Sequence, residues 1–261
     1  MTNEAVEKTV FDLKETICQT LMTPTNKAGW PFIIGFALVS VIIAMLSTFL
    51  GVVGLVLTLW CIYFFRDPVR MVPQKPNLII SPADGKVTAV TSNVQLPTEL
   101  REAKDETSAE SGEDTGEESI GNYTRISIFL SVFDVHVNRV PTSGTIKKVI
   151  YRPGQFLNAG SERASIENER SSVLMELDDN RQIAFVQIAG LIARRIINEL
   201  KEGDTVVSGN RFGLIRFGSR MDIYIPSEVQ PCVAVGQRAI GGETILADMS
   251  QKGEALTASP V

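Results

Sequence analysis

The stretch Arg211-Phe-Gly-Leu-Ile-Arg-Phe-Gly-Ser-Arg-Met-Asp-Ile-Tyr-Ile-Pro226 contains two alternating patterns that meet at Gly218-Ser219. Before the glycine, apolar side chains recur with the period of a β-strand, and residues 221–225 alternate again after it. A glycine inside such a pattern marks a bulge or a close approach of two backbones. The pattern therefore predicts two strand-like pieces with a break at the Gly218-Ser219 peptide bond.

The composition limits the classes of protein that this chain can represent. Its 261 residues can hold one domain, or one domain with an appendage. A formal charge of -5 gives no general electrostatic case for nucleic-acid binding. The three cysteines (Cys18, Cys61 and Cys232) have no metal-type spacing, which predicts a reducing compartment and no metal site. His136 is the only histidine, so any mechanism that uses an imidazole must use this one.

The first 65 residues have the character of a membrane segment. Residues 1–30 repeat apolar side chains at helical spacing, which predicts an amphipathic helix at a membrane surface. Residues 31–65 carry no charge, and as one helix they would extend about 52 Å against a hydrocarbon core of roughly 30 Å. A hairpin of two short helices is therefore favoured over one tilted span, and both remain open.

The flanks of this apolar segment also indicate how it is oriented. Trp30 lies at one end and Trp60 and Tyr63 at the other, as in an interfacial aromatic belt. Positive residues precede and follow the segment, which predicts a hairpin with both ends in the cytoplasm.

Residues 66–250 change to short alternating runs separated by turn residues, which predicts a compact, mainly β (α+β) domain. Residues 97–119 are rich in acidic and small polar side chains and predict a disordered surface loop. Residues 251–261 predict a flexible tail. Residues 191–200 are ambiguous between helix and strand. The predicted strands are residues 78–80, 86–90, 125–130, 144–149, 172–177 and 182–189, with two more around Ser219.

Three stretches of the sequence contain side chains that can carry chemistry. Asp84 lies in the turn Ser81-Pro-Ala-Asp-Gly-Lys86, and His136 lies in Phe129-Leu-Ser-Val-Phe-Asp-Val-His-Val-Asn-Arg-Val-Pro141. Each has a plain structural explanation, since Asp-Gly is a common turn and a lone histidine is often a satisfied structural residue. With the hydroxyl of Ser219 they supply an acid, an imidazole and a nucleophile, although spacing alone does not place them together.

Seven ordered motifs carry a resemblance to a known family. They resemble the phosphatidylserine decarboxylase family in its short bacterial and archaeal form, and the likeness runs from about Gly29 to Ala247 apart from the acidic loop. The motifs are Phe-Phe-Arg-Asp-Pro68, Ser-Pro-Ala-Asp-Gly85, Phe-Asp-Val-His-Val-Asn-Arg139, Pro153-Gly-Gln-Phe-Leu-Asn158, Glu167-Asn-Glu-Arg170, Gly190-Leu-Ile-Ala-Arg-Arg195 and Arg211-Phe-Gly-Leu-Ile-Arg-Phe-Gly-Ser-Arg220.

The resemblance implies a self-cleaving enzyme of phospholipid biosynthesis. Cleavage between Gly218 and Ser219 would give a β chain of residues 1–218 and an α chain of residues 219–261, held as a heterodimer, with assembly into a higher oligomer left open. Ser219 would become a pyruvoyl group, which forms a Schiff base with phosphatidylserine and yields phosphatidylethanolamine and CO2. The substrate implies a cell (inner) membrane location, with the catalytic domain on the cytoplasmic face.

The resemblance also assigns roles to individual residues. It implies that His136 donates or orients a proton near the substrate Cα, and that Asp84 supports self-cleavage. Longer members of the family carry a second histidine where this chain has Arg139, and an arginine stays charged, so the Asp-His-Ser triad of those members is not carried over whole. Either His136 serves both steps or Asp84 acts more directly.

Several arginines are candidates for the phosphate or carboxylate of the substrate, because a guanidinium suits both. Arg139 and Arg195 are the two preferred candidates, and the full set is Arg139, Arg152, Arg194, Arg195 and Arg220.

Two alternative functions remain at this point. The turn Glu202-Gly-Asp-Thr-Val-Val-Ser-Gly209 resembles that of carrier domains and adaptors, so a membrane-anchored, non-catalytic β module is one alternative. Such a module would remain uncut and would form no pyruvoyl group. The other alternative is a pyruvoyl decarboxylase of another serine lipid, such as archaetidylserine.

Overall fold

The structure, a computed structural model, describes residues 23–101, 122–161, 163–191, 195–216 and 218–250. Most of the predicted amphipathic segment, most of the acidic loop, the tail and Arg194 lie outside the described residues. The chain divides into two compact units, Met1–Val69 and Arg70–Val261, and each is described by itself.

The first unit is built from two apolar helices. After a 3-10 turn at Lys27–Gly29, α1 covers Trp30–Leu46 and α2 covers Thr48–Phe64, with Ser47 extended between them. The helices run antiparallel, because Ser40 and Thr58 meet with their hydroxyl oxygens 3.3 Å apart. A methyl group on Gly54 would lie 2.5 Å from the Ser40 hydroxyl oxygen, so small residues permit this close helix contact.

The outer surface of this helix pair is apolar. Nineteen of the twenty-nine large hydrophobic side chains exposed among the described residues lie between Trp30 and Tyr63. By length and composition, the 20 residues Lys27–Leu46 are sufficient to cross a membrane, and the apolar helix Thr48–Phe64 is shorter. A surface of this kind is associated with a membrane or a partner rather than with water.

The second unit is an antiparallel β domain, which confirms the predicted fold class. The strands are β1 Leu78–Ile80, β2 Gly85–Val94, β3 Tyr123–Leu130, β4 Val137–Arg139, β5 Gly144–Arg152, β6 Arg170–Glu176, β7 Gln182–Ala189, β8 Ile196–Asn198, β9 Thr205–Val206, β10 Arg211–Ile215, β11 Ser219–Pro226, β12 Arg238–Ala239 and β13 Ile245–Asp248. A four-residue helix, α3, covers Ala164–Glu167. The largest sheet has eight strands in the order β12-β2-β3-β11-β7-β6-β5-β9, accompanied by a three-stranded sheet (β4-β10-β8) and the pair β1-β13.

The core of the domain forms on one face of the eight-stranded sheet. Residues that alternate along β3, β7 and β11 point inward, as the period of two requires. The three-stranded sheet contributes to the same core, and Phe212 of β10 packs edge-on against Phe185 of β7 with ring centroids 5.1 Å apart. The connection from β10 to β11 therefore joins the three-stranded sheet to the eight-stranded sheet, and both sheets contribute to the same core.

Residues 97–101, at the start of the predicted disordered loop, belong to the folded domain. Thr98–Leu100 form a 3-10 turn, and Leu100 is buried in a second apolar cluster on the other face of the large sheet. Glu99 receives two hydrogen bonds from Arg170, at 2.7 and 3.0 Å, and one from Ser172 at 2.8 Å. The prediction of disorder from residue 97 was therefore wrong at its beginning, because an acidic composition does not reveal a buried cationic partner.

The environment of Glu99 makes a prediction about stability in acid. Burial raises the pKa of Glu99, but the hydrogen bonds from Arg170 and Ser172 outweigh this effect and lower its pKa to about 2. A carboxylate whose pKa falls on folding stabilises the protein above its unfolded pKa, and this contribution is lost as the pH falls from about 4.5 to about 2.

We predict that Glu99→Gln lowers the free energy of unfolding by about 3 kcal/mol at neutral pH, because Arg170 is left buried without its carboxylate. Unfolding followed by circular dichroism between pH 2 and pH 7 measures this change. The variant should also lose part of the acid dependence of the wild-type protein. Asp178→Asn, at an exposed turn, is the control, and an unchanged acid dependence in Glu99→Gln contradicts the assignment.

Candidate active site

The Gly218-Ser219 bond lies where β10 ends and β11 begins. Gly218 has φ +65°, in the left-handed region that favours glycine, and Ser219 is the first residue of β11. Ser219 pairs with Leu130 of β3 on one side and with Ala189 of β7 on the other. The predicted break between two strands is present, and it occurs at the start of β11, which is paired with a neighbouring strand on both sides.

The hydroxyl of Ser219 is buried and has no hydrogen-bond partner among the described residues. A buried hydroxyl in this state costs about 1–3 kcal/mol, so most buried polar atoms are paired. An unpaired nucleophile next to a left-handed glycine is therefore a feature that calls for a functional explanation.

His136 contacts the residue that precedes this serine. The ring is fully buried; its Nδ1 lies 2.9 Å from the Asp134 carbonyl oxygen, and its Nε2 accepts the Gly218 N–H at 3.3 Å. A carbonyl only accepts and an amide N–H only donates, so the neutral tautomer with hydrogen on Nδ1 satisfies both contacts. The structure thus places the lone pair of Nε2 beside the Gly218-Ser219 bond.

Asp84 lies in the turn before β2, and both of its oxygens are occupied. Oδ2 accepts a hydrogen bond from Arg70 at 2.7 Å, and Oδ1 accepts the Gly241 N–H at 2.8 Å. Burial raises the pKa of Asp84, with a further contribution from the Asp134 carboxylate, although Arg70 and the Gly241 N–H oppose the shift. Among the described residues, no hydrogen bond joins Asp84 to Ser219 or His136.

Asp134 fixes the loop that supports the histidine, a role that sequence reasoning missed. Its carboxylate is buried, accepts the Ser131 N–H at 2.8 Å and forms an ion pair with Arg238. An aspartate that binds the backbone of its own turn is a common device for holding a loop. The signal was present in the sequence as a Ser-x-x-Asp turn directly before His136.

The preferred arginine candidates occupy different environments. Arg139 is buried in β4, and its Nη1 donates to the Gly209 carbonyl at 3.0 Å. Arg195 is exposed just before β8, and its carbonyl accepts the Arg216 N–H at 3.4 Å. Nothing in these contacts tests a substrate role for either residue, so both assignments stay predictions.

Two other candidate arginines have structural partners. Arg220 is buried; it forms an ion pair with Asp222 and donates to the carbonyls of Ala159 and Ser161 at 3.0 and 2.9 Å. Arg152 lies within 3.4 Å of Glu99. These contacts give both arginines partners within the protein but do not test a substrate role, so the two assignments stay predictions.

Asn168 holds the loop around residues 155–161 to the end of β7. Its Nδ2 donates to the carbonyls of Ala189 and Leu157 at 2.7 and 2.9 Å, while its Oδ1 accepts the Leu157 N–H at 3.0 Å. Arg220 binds the same loop two residues further on. This segment therefore packs beside Ser219, and no local pattern in the sequence indicated it.

Gly190 lies directly against the Gly218-Ser219 bond. A methyl group at this position would be 2.1 Å from the carbonyl oxygen of Gly218 and 3.0 Å from its carbonyl carbon. Since no side chain fits there, the backbone of residue 190 forms one wall around the Gly218 carbonyl.

The residues that the structure describes contain no cluster of three or more His, Cys, Asp or Glu side chains that could hold a metal ion.

The fold and the site together define a class of mainly β domains in which a histidine contacts a Gly-Ser peptide bond at the start of a central strand. The family model described as phosphatidylserine decarboxylase matches residues 57–247. The phosphatidylserine decarboxylase proenzyme of Cereibacter sphaeroides is 47% identical over 231 residues, which cover 88% of this chain and 92% of the relative. That of Paramagnetospirillum magneticum is 48% identical over 249 residues, 95% of each chain.

This chain belongs to the phosphatidylserine decarboxylase family. The resemblance carried by the seven sequence motifs is thereby confirmed. The alternative of a non-catalytic carrier or adaptor module has no comparable support, since the matches are to decarboxylases over most of the chain.

Proposed function

We propose that this protein is a proenzyme that cleaves itself between Gly218 and Ser219 and then converts phosphatidylserine to phosphatidylethanolamine and CO2. The observation that carries the proposal is the contact between His136 Nε2 and the Gly218 N–H, beside a buried Ser219 hydroxyl that has no hydrogen-bond partner in the described part of the chain. A nucleophile and a proton acceptor therefore flank one peptide bond, as an acyl-transfer reaction requires.

Self-cleavage uses groups of the chain alone. The Ser219 hydroxyl attacks the Gly218 carbonyl carbon, His136 takes the hydroxyl proton and returns it to the departing amide nitrogen, and the peptide bond becomes an ester. His136 then takes the proton from Cα of residue 219, and elimination releases Gly218 as a carboxylate that keeps the former serine oxygen, leaving dehydroalanine at position 219. Addition of water and loss of ammonia convert this residue to the pyruvoyl group.

Asp84 supports these steps indirectly in our proposal. Its carboxylate is hydrogen-bonded to Arg70 and Gly241 and lies near Asp134, whose carbonyl binds His136 Nδ1. It therefore contributes to the electrostatic environment of the loop that carries His136. With Arg139 where a second histidine stands in longer members, His136 is the group that moves the proton in both steps.

The residues present fit a pyruvoyl group that forms in place. Position 219 is buried, and its hydroxyl makes no hydrogen bond to the described residues that the conversion would break. Such a group supplies a carbonyl that condenses with a substrate amine and accepts the electron pair left when CO2 departs. His136 then delivers a proton to the substrate Cα from its place beside position 219.

The pairing of β11 supports an α chain that stays bound after cleavage. This strand starts at Ser219 and lies between β3 and β7, with six or more paired residues on each side. The strands that follow it, β12 and β13, pair with β2 and β1. Residues 1–218 and 219–261 would therefore remain together as a heterodimer through backbone hydrogen bonds.

The apolar helix pair supports a membrane location. A helix of 17 residues extends about 26 Å, slightly less than the roughly 30 Å hydrocarbon core, so α1 and α2 suit a hairpin that enters and leaves on one side. The hydrogen bond between Ser40 and Thr58 pairs their hydroxyls inside the hairpin. We propose that the hairpin anchors the enzyme in the cell (inner) membrane, with the catalytic domain on the cytoplasmic face beside its lipid substrate.

We predict that Ser219→Ala abolishes both self-cleavage and decarboxylation, because the variant has neither the nucleophile nor the precursor of the pyruvoyl group. A denaturing gel and release of labelled CO2 from phosphatidylserine measure the two effects. Ser227→Ala, directly after β11, is the matched control and should be cut normally. Decarboxylation by uncut Ser219→Ala would contradict the proposal.

His136→Ala should slow self-cleavage by about 100- to 10,000-fold, since this is the usual contribution of a positioned acid–base group. Pulse-labelled protein sampled over time gives the rate. Asp84→Asn is the comparison, and we expect it to have a smaller effect because, among the described residues, Asp84 is hydrogen-bonded to neither His136 nor Ser219. Cleavage of His136→Ala at the wild-type rate would assign the proton transfer to another group.

Gly190→Ala should slow self-cleavage by about 100-fold, because its methyl group displaces the Gly218 carbonyl from the position in which it is attacked. Gly160→Ala is the control, since its methyl group would lie 3.4 Å from the nearest side-chain atom, an ordinary contact. The same time course measures both variants, with circular dichroism to establish that each is folded. Equal rates for Gly190→Ala and the wild type would refute the steric argument.

A further inference from the structure

The two steps of the proposed reaction require opposite states of His136. Self-cleavage needs a lone pair on Nε2 to take the Ser219 proton, whereas decarboxylation needs a proton on Nε2 to deliver to the substrate. The chain has one histidine, so no second imidazole can divide these tasks. In the uncut structure Nε2 accepts the Gly218 N–H, which is the state suited to the first step.

Cleavage itself changes the charge beside this nitrogen. Before cleavage Gly218 carries a neutral peptide carbonyl, and afterwards it carries a carboxylate. The Gly218 nitrogen lies 3.3 Å from Nε2, and a carbonyl carbon is about 2.5 Å from the nitrogen of its own residue, so the new carboxylate carbon lies within about 6 Å of Nε2. At this separation an opposite charge near a buried ring favours the protonated ring.

We propose that the Gly218 carboxylate, formed at the end of the β chain and freed to turn, replaces the Gly218 N–H as the partner of His136 Nε2 and holds a proton on that nitrogen in the mature site. This inference rests on the proposed self-cleavage. The cut would then convert the same histidine from a base into an acid. The proton is the one that His136 takes from Cα of residue 219 during elimination, so no other reactant is needed.

Other charges around His136 are the same before and after the cut. Asp134 forms its ion pair with Arg238, and Asp84 forms one with Arg70. These pairs belong to the loop that carries the histidine and to the turn before β2. A comparison of cut and uncut protein cancels their influence.

Two cations also lie along the chain near this site. Arg139 follows His136 in β4 and binds the Gly209 carbonyl, while Arg216 precedes Gly218 by two residues. Neither changes its charge on cleavage, because a guanidinium remains protonated. The Gly218 carboxylate is therefore the new charge that distinguishes the two states.

The single histidine makes the test direct. Full-length protein labelled with 15N-histidine gives one pair of imidazole nitrogen signals, recorded in lipid nanodiscs for the cut wild type and for uncut Ser219→Ala. Since the Ser219 hydroxyl has no partner among the residues that the structure describes, its removal breaks no hydrogen bond seen there and the variant should fold. Both samples are titrated again in urea, where their midpoints should coincide.

We expect the midpoint for His136 to be about 1 to 2 pH units higher in the cut protein than in Ser219→Ala. Near neutral pH, Nε2 should carry a lone pair in the uncut variant and a proton in the cut enzyme. Loss of kcat as the pH rises should follow the higher midpoint. Equal midpoints in the two folded samples would overturn the inference, whereas a wild-type protein that stays uncut on a gel would overturn the proposed function instead.

Discussion

The pairing of β11 on both sides is the constraint on which the rest of the site depends. Ser219 is fixed by Leu130 and Ala189, so its position does not rely on a flexible loop. Gly218, in the left-handed region, then turns the chain towards β10 and the smaller sheet. The candidate scissile bond therefore joins a strand that is paired on both sides to a glycine in the left-handed conformation.

The residues around this bond restrict its position and the protonation state of the neighbouring His136 ring. Gly190 leaves room for the Gly218 carbonyl, and the Gly218 N–H faces the lone pair of His136. Asp134 holds the loop that supports the imidazole through its backbone carbonyl and its paired carboxylate. The buried carboxylates Asp84, Asp134 and Asp222 each form an ion pair with an arginine, as the low dielectric of an interior favours. Among the described residues, the Ser219 hydroxyl has no hydrogen-bond partner, and it is the group that the proposed chemistry uses.

The sequence predicted the features that have a local cause. Alternation predicted the long strands, and the glycine predicted the break before Ser219, because both depend on neighbouring residues. The short strands β4, β9, β12 and β13 were not predicted, and β8 lies in the stretch 191–200 that was ambiguous between helix and strand. The apolar run with small residues at its centre predicted a hairpin, and two antiparallel helices are present.

Contacts between distant residues could not be predicted in this way. Nothing near Asp84 indicates that Arg70 and Gly241 occupy its oxygens, and nothing near Arg220 indicates that carbonyls from another loop surround it. Glu99 looked like part of a solvated acidic loop because its partner, Arg170, lies on a strand far along the chain. Residue type therefore indicated the candidate groups, while the fold decided which of them meet.

Intact mass spectrometry of the purified wild-type protein tests the central claim most directly. The account predicts two chains, of about 24 and about 5 kDa as shares of the 28.5 kDa total, that together replace the full-length species. The smaller chain should begin at position 219 and be lighter by one ammonia than the same peptide beginning with serine. A single intact chain of 28.5 kDa in a preparation that decarboxylates phosphatidylserine would contradict it.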